Sequence, residues 1–451
     1  MKPAANNIGL RNYLPILLTL PLAGLAELAS LYSIQALLPK LAEVYHIPLN
    51  QVGLILSAEV GCLALAMLFT GSLSDRFGRK QTIVVSLLLG GILTLMCTTV
   101  SAWPELVLYR ALLGLAVSGI TAAVTVYICE EVSPVLAGVV TGYFIFGNSL
   151  GSMSGRVFAT LMMEHVSLNV IFMLFGGLLI FMAFYVLYFL PASKNFTPST
   201  ALNLTQMLKG GIEHFKNRNI SLAYVIGFIL FGSFTSIFNF VAFYLHREPF
   251  NLSFTHIGLI PVSFALTFFS APTTARLAVR FGAMNMLSML LMVMIVGAAI
   301  SIFATTAAVF IFGVVVLSVA FFTSHSTILS WVSRHASHAK GQATAFYLFC
   351  YYAGGAVLGY LNGFVFAKAG WNGLALSVIS LLAIGLLLSR ILHAANKQRV
   401  METREMVNIG IDADNYVQNL ARFRVKFGSG PDTLLNPVRR KKRGPRDYGA
   451  G

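Results

Sequence analysis

The stretch GSLSDRFGRK, residues 71–80, joins two apolar runs at 52–73 and 82–101. It holds three basic residues and one acidic residue, with glycine at positions 71 and 78. Glycine reaches backbone conformations that other residues avoid, so both glycines suit a tight turn. Runs of about 20 apolar residues are long enough to cross a bilayer. The stretch therefore predicts the charged turn of a hairpin between two membrane-spanning helices.

The composition of the whole chain indicates a lipid environment. Of its 451 residues, 57% are apolar and only 10% are charged, whereas a soluble domain usually carries roughly a quarter charged residues. At about 20 residues per span plus short connections, the chain has room for roughly twelve spans. This composition excludes an ordinary soluble globular protein.

Apolar runs of spanning length fall into two sets of six, on either side of a polar stretch at 192–218. They lie near 13–38, 52–73, 82–101, 105–128, 136–162, 168–190, 219–245, 255–277, 283–304, 306–332, 341–367 and 372–393. We predict an all-α membrane protein of twelve transmembrane helices in two pseudo-symmetric six-helix bundles. The predicted divisions are an N-terminal bundle at 1–191, a cytoplasmic linker at 192–218, a C-terminal bundle at 219–393 and a basic, disordered cytoplasmic tail at 394–451.

The basic residues predict the orientation. On the side of the N-terminus they recur in the connections, as in the 71–80 turn, whereas the connections on the other side hold only Lys40, Arg247 and Lys368. Basic residues accumulate in cytoplasmic loops, so both termini are predicted to be cytoplasmic. The tail ends NPVRRKKRGPRDYGAG, and beneath a membrane such a basic run is expected to meet anionic lipid, not nucleic acid.

The two halves of the chain resemble each other. GSLSDRFGR at 71–79 aligns with ARLAVRFGA at 275–283, an offset of 204. The residues Gly138, Phe146 and Gly151 align at an offset of 203 with Gly341, Phe349 and Gly354. Parallel repeats of this kind place a substrate site near the midplane between the halves.

Residues 71–80 resemble the signature loop of the major facilitator superfamily, G-x-L-x-D-R-x-G-R-[KR]. The match is complete at the defining positions, and the gating motif that it implies comprises Gly71, Asp75, Arg76, Gly78, Arg79 and Lys80. The segments GNSLGSMSGR, EEVSP and KGQATAFYLFCYY look like the bacterial inner-membrane branch of arabinose-efflux-permease-like and drug–proton antiporters. The resemblance implies alternating access in a bacterial inner membrane, by a protein that works as a monomer.

Four glycines recur in the fifth apolar run, at Gly138, Gly147, Gly151 and Gly155. Glycines four residues apart share one helix face and allow another helix to approach closely. Their spacing also resembles the antiporter motif of the superfamily, G-x8-G-x3-G-P-x2-G-G. Ser152 stands where that motif has proline, and Arg156 stands where it has the last glycine. Packing alone and an antiporter role both remain open.

Ionisable residues inside apolar runs are costly and are often functional. Glu27 lies near the middle of the first run, so we predict that it binds and releases a proton. The alternatives are a carboxyl held by a neighbouring hydroxyl or amide and a carboxyl paired permanently with an arginine. Glu59, Arg110 and Arg156 share a similar depth in neighbouring runs. They are predicted to form a cluster of buried charge in which Glu59 has a structural role, or otherwise a second role in proton coupling.

The second half offers polar candidates for a cavity. Asn239 lies among phenylalanines in the seventh run, His325 lies in the tenth and Tyr351 in the eleventh. Each could line a solute cavity or pack between helices. The sequence shows no metal-ligand spacing, no ATP-binding loop and no catalytic constellation, so neither an enzyme nor a cofactor is expected.

These features favour a secondary active transporter, with small-molecule solutes, protons and membrane lipid as its partners. The leading prediction is proton-coupled efflux of a small amphipathic or sugar-like solute. The alternatives are proton-coupled uptake of a sugar or organic anion and, outside transport, a helical membrane receptor or scaffold.

Overall fold

The computed structural model describes residues 13–196, 212–336 and 340–408, and within them the chain is helical with no strand. Twelve long helical elements follow one another, and a short helix, Leu49–Val52, precedes the second of them. The first six are α1 (Leu14–Val44), α2 (Leu54–Phe77), α3 (Arg79–Met96), α4 (Trp103–Glu131), α5 (Pro134–Met163) and α6 (Leu168–Phe189). The others are α7 (Arg218–Leu245), α8 (Phe254–Gly258, Ile260–Leu266 and Thr267–Phe281), α9 (Ala283–Phe303), α10 (Ala307–His335), α11 (340–369) and α12 (371–408).

The predicted twelve-span, all-α architecture is confirmed. Within the described ranges, nine helical segments are long and apolar enough to cross a membrane, and one of them, Gly341–Ala395, covers most of α11 and α12. Gly370 separates these two helices with a non-helical backbone at φ 60°. The remaining two spans are α5, which carries several polar residues, and α8, which is divided into three pieces.

The first and second halves turn in the same way at equivalent positions. Gly78 joins α2 to α3 with φ 100°, and Gly282 joins α8 to α9 with φ 87°. Residues other than glycine rarely adopt such positive φ values, which explains the glycine of the Arg-Phe-Gly that the two aligned segments share. Gly71 is different: it lies inside α2, so the prediction that it contributes to the turn is wrong.

The glycines of α5 bring it against the backbone of α1. A Cβ on Gly147, Gly151 or Gly155 would meet the backbone of Pro21, Leu25 or Ala29, respectively. In the second half, a Cβ on Gly354 would meet the backbone of Phe228 on α7. Gly354 and Phe228 are the repeat equivalents of Gly151 and Leu25 at the same offset of 203, so α1–α5 and α7–α11 are matching helix pairs.

The end of the molecule at which α1 begins is called the inner end below, and the opposite end the outer end. The two bundles meet along α1–α7, α2–α11 and α5–α8. Close contacts join them in the outer half, where a Cβ on Gly258 would meet Thr160. At middle depth the rings of Phe146 and Phe268 lie 4.9 Å apart.

The last helix is longer than the sequence predicts. α12 continues past 393 to Asn408, so the beginning of the segment assigned to a disordered tail is helical. Residues 409–451, with the basic run, lie outside the described residues. Residues 197–211 of the predicted linker also lie outside them.

Candidate functional site

Glu27 is a buried carboxyl without a basic partner. Its residue is 1% exposed, and the Thr121 hydroxyl of α4 lies 3.1 Å and 3.2 Å from the two carboxylate oxygens. Within the described residues, no Lys, Arg or His nitrogen lies within 4.0 Å of the Glu27 carboxylate. The prediction that Glu27 is deeply placed therefore agrees with the structure, and so does the alternative of a carboxyl held by a neighbouring hydroxyl. The alternative of a permanent arginine pair does not agree.

The glycine contacts of α1 determine which way Glu27 points. Pro21, Leu25 and Ala29 lie four residues apart and form the face of α1 that meets α5. Glu27 lies two residues from Leu25 and from Ala29, which is roughly 200° around a helix. Its side chain therefore points away from α5, toward Thr121 on α4.

Glu59 and Arg110 form an ion pair in which both side chains are fully buried. Arg110 Nε donates to Glu59 Oε2 over 2.9 Å, and Arg110 Nη2 donates to Glu59 Oε1 over 2.8 Å. The same Nη2 also donates to the backbone oxygens of Ser30 and Leu31, at 3.1 Å each. The pair thus joins α2 and α4 to α1, an arrangement suited to a structural role.

Arg156 does not join this ion pair, so the predicted three-residue charge cluster is not formed. Instead, its Nε donates to Gln35 Oε1 over 2.8 Å, and its Nη1 donates to the backbone and hydroxyl oxygens of Ser152. Gln35 Nε2 then donates to Asn239 Oδ1 over 2.7 Å, and Asn239 Nδ2 donates to the Gly359 carbonyl over 3.4 Å. This chain of polar groups crosses from the N-terminal to the C-terminal bundle.

Asp75 and Arg79 of the signature loop belong to a charge cluster at the inner end. Arg79 donates to Asp75, to the Ser74 hydroxyl over 3.2 Å, and to Glu130 Oε1 over 2.7 Å. The Arg79 guanidinium also lies 5.4 Å from the centre of the Phe196 ring. The cluster joins the α2–α3 turn to the end of α4. Arg76 and Lys80 are outside these hydrogen bonds; Arg76 lies over the ring of Phe77.

A second cross-bundle contact lies at the outer end. Glu164, just after α5, accepts a hydrogen bond from the Phe254 N–H over 2.9 Å and from the Thr255 hydroxyl over 2.6 Å. Both donors belong to the first turn of α8. Helix N-termini favour negative charge, so this carboxylate is well placed to hold the outer ends together.

His325 and Tyr351 belong to an aromatic cluster in the C-terminal bundle. His325 Nδ1 lies 3.0 Å from the Tyr347 hydroxyl, and its ring lies 4.2 Å from that of Tyr351. Tyr351 stacks on Phe231 with ring centres 4.3 Å apart. Both residues therefore pack among rings. Asn239 hydrogen-bonds to Gln35 of the first half, and Tyr351 lies close enough to Arg156 and Tyr32 of the first half to interact with them electrostatically.

Sequence reasoning missed Gln35, Thr121, Glu130 and Glu164 as partners. Glu130 belongs to the segment EEVSP, so its presence near the inner end could have suggested an acidic partner for Arg79. Thr121 and Gln35 carry no comparable signal. Each is an uncharged residue in an apolar run, and each contacts a residue far away in the chain.

The comparison with known families decides the classification. The family model described as Major Facilitator Superfamily matches residues 21–360. The chain belongs to this superfamily. It is a multi-pass integral membrane protein and a transporter of this type, as its relatives and its helical architecture agree.

Two relatives illustrate the similarity within this superfamily. An uncharacterized transporter of Buchnera aphidicola subsp. Schizaphis graminum is 36% identical over 83% of this chain and 90% of its own length. The inner membrane transport protein YnfM of Escherichia coli K12 is 32% identical over 85% of this chain and 92% of its own length.

Solved structures share the major facilitator fold. An inward-facing bacterial homologue of the human lysosomal transporter Spinster superposes with a TM-score of 0.68 at 14% identity, covering 86% of this chain and 96% of that chain. A D-xylose–proton symporter superposes with a TM-score of 0.65 at 15% identity, covering 84% of this chain and 98% of that chain.

Proposed function

We propose that this major facilitator protein is a proton-coupled efflux transporter of the bacterial inner membrane, and that Glu27 is its proton site. The observation that carries the proposal is the environment of Glu27, which is buried beside one hydroxyl and no cation. A buried carboxylate is costly unless it is paired and hydrogen-bonded. Proton binding removes that charge. A protonated Glu27 therefore favours the conformation in which its side chain is buried, and an ionised Glu27 disfavours it.

Glu59 serves as the contrast. Its charge is matched by two hydrogen bonds from Arg110, and breaking a buried pair leaves an uncompensated charge. We therefore assign Glu59 to structure and Glu27 to coupling. The two carboxyls lie in the same bundle, but only one can change its protonation without leaving a buried arginine unpaired.

The transport cycle follows from the contacts between bundles. In this conformation the outer halves are joined by Gln35–Asn239 and Glu164–Thr255. An outside proton reaches Glu27 when these contacts are open, and closing them exposes the site to the inner side. The proton leaves there as the solute binds, and reopening carries the solute outward. Rocking of two repeats around a central site is the general scheme for such folds.

A pH gradient across everted membrane vesicles tests the proposal. A panel of neutral, cationic and anionic amphipathic compounds is added to acidified vesicles while a pH-sensitive dye reports the interior. At least one compound is expected to raise the interior pH with the wild type and not with Glu27→Gln. The control is Glu43→Gln, which changes an exposed carboxyl of the same helix.

Equal responses of wild type and Glu27→Gln would contradict the assignment of Glu27. The uptake alternative predicts the reverse dependence: solute loaded into the vesicle lumen, not solute added outside, would dissipate the gradient.

A further inference from the structure

Arg156 is a buried cation to which no described residue gives a counter-charge. The residue is 3% exposed, and the described residues place no carboxylate oxygen within 4.0 Å of its guanidinium. Its hydrogen bonds go to a neutral amide and to groups of Ser152. The opposite bundle supplies no acid either, since Glu248 is the only acidic residue between 219 and 393 and lies in an exposed connection.

The internal repeat shows that packing does not require this arginine. Arg156 and Gly359 are repeat equivalents at the offset of 203 that also relates Gly151 to Gly354. At this position the second half has no side chain, and Asn239 hydrogen-bonds to the Gly359 carbonyl. The first half has a guanidinium there, which donates to Gln35. The cation is an addition to one half of a symmetric framework.

The surroundings of Arg156 combine aromatic faces with a cleft between the bundles. Its guanidinium carbon lies 4.1 Å from the ring centre of Tyr32, 5.9 Å from that of Phe238 and 5.6 Å from that of Phe264. These rings come from α1, α7 and α8. The cleft beside it is lined by Gln35, Arg156, Thr160, Phe238, Ile257 and Pro261, so its walls are largely apolar around one cation and one amide.

We propose that Arg156 binds the anionic group of the transported solute, and that this solute is an organic carboxylate with an apolar body. The inference rests on the proposed transport function and names its substrate class. A planar guanidinium offers paired donors that match a carboxylate, and the aromatic and aliphatic walls bury the apolar body. The carboxylate of the solute would then be the counter-charge of Arg156, which no described residue provides.

The position of the cleft fits a transported solute. Its lining comes from α1 and α5 of one bundle and from α7 and α8 of the other. A ligand held there contacts both bundles, so their relative movement changes its contacts on both sides. Arg156 also occupies the position at which the antiporter motif of the superfamily has glycine, which gives this chain a cation where that pattern has none.

Ligand-induced thermal stabilisation of the purified protein, without a membrane gradient, tests the proposal. The probes are benzoate, phenylacetate and octanoate, each compared with its uncharged amide. At least one carboxylate is expected to raise the Tm of the wild type while its amide does not. Arg156→Gln is expected to lose this rise. Arg276→Gln, which changes an exposed arginine of α8, is the control and is expected to keep it.

Arg156→Lys provides the second variant if the glutamine variant does not fold. Lysine keeps the charge but loses the paired donors. We therefore expect the Kd for the carboxylate to rise about tenfold, which corresponds to a loss of roughly 1.4 kcal/mol of binding free energy. The proposal is overturned if no carboxylate stabilises the wild type, if amides bind as well, or if substitutions at Arg156 change nothing. Because no gradient is present, failure of proton coupling at Glu27 would leave these results unaffected.

Discussion

At the scale of single residues, Glu27, Glu59 and Arg156, three of the buried ionisable residues of the N-terminal bundle, have different environments. Glu59 is paired with a buried arginine, Glu27 faces a hydroxyl, and Arg156 faces an amide and aromatic rings. The depth of each residue could be predicted by counting along an apolar run. The partners could not, since Thr121 is 94 residues from Glu27 and Gln35 is 121 residues from Arg156. Only the packing of helices brings them together.

The Glu59–Arg110 pair leads to a prediction about stability. Glu59→Gln leaves the Arg110 charge buried without a counter-charge, and breaking such a pair typically costs about 3–5 kcal/mol. We expect a markedly lower Tm and less folded protein in detergent. Replacing both partners by apolar residues, Glu59→Leu with Arg110→Leu, should recover much of the loss because no buried charge remains. Thermal unfolding of the single and double variants measures this.

The predicted loss of stability would be contradicted by a Glu59→Gln variant that is as stable as the wild type but lacks proton-driven transport. That result would move the coupling role from Glu27 to Glu59.

At the scale of helices, the glycines of α5 show what spacing can and cannot predict. Their four-residue interval predicts one face that permits close approach, and Gly147, Gly151 and Gly155 all meet the α1 backbone. The spacing does not identify α1 as the partner helix. It also does not show that Gly138, unlike the other three glycines, lies away from any neighbouring helix. A Cβ on Gly138 would have no neighbour within 4 Å. Helix ends were also less predictable than helix positions, as the extension of α12 to Asn408 illustrates.

This difference predicts opposite effects of one substitution at two sites on the same helix. Gly151→Ala places a methyl group against the Leu25 backbone, so α1 and α5 must separate and the Tm should fall. Gly138→Ala meets no neighbour, and alanine favours the helix by up to about 1 kcal/mol, so the Tm should stay unchanged or rise. Thermal unfolding of both variants compares them directly. A Gly151→Ala variant as stable as Gly138→Ala would show that the helices are less tightly packed than described.

At the scale of the whole molecule, the two bundles are held together in their outer halves. The outer contacts are an amide pair, Gln35–Asn239, and a carboxylate on a helix N-terminus, Glu164–Thr255. The ring pair Phe146–Phe268 lies at middle depth. Opening the outer side requires both outer contacts to separate. The repeat in the sequence predicted two bundles around a shared site, but these contacts depend on the relative placement of the bundles, which the repeat does not encode.

The Glu164 contact predicts that acid favours outer opening. The Thr255 hydroxyl bond lowers the pKa of Glu164 below its ordinary value of 4.5 in the closed form. The ionised carboxylate therefore stabilises closure fully above that ordinary value, and the effect is lost as the pH falls through the lowered pKa. Spin labels on His165 and Arg247 should report longer distances at pH 4 than at pH 7. Glu164→Gln should remove most of this difference.

The pH experiment has a matched control in Glu43→Gln, since Glu43 pairs with Lys40 on its own helix and not across the bundles. That variant should keep the wild-type response. A pH response that survives in Glu164→Gln would assign the opening to another group.

The most direct test of proton coupling at Glu27 separates the two halves of the transport cycle. Purified protein in proteoliposomes is assayed with a transported solute in two ways, by solute–solute exchange without a gradient and by uphill solute movement driven by a pH gradient. Exchange needs alternating access but no net proton movement. We predict that Glu27→Gln keeps exchange and loses proton-driven accumulation, while Glu43→Gln keeps both. Proton-driven accumulation by Glu27→Gln at the wild-type level would contradict the account.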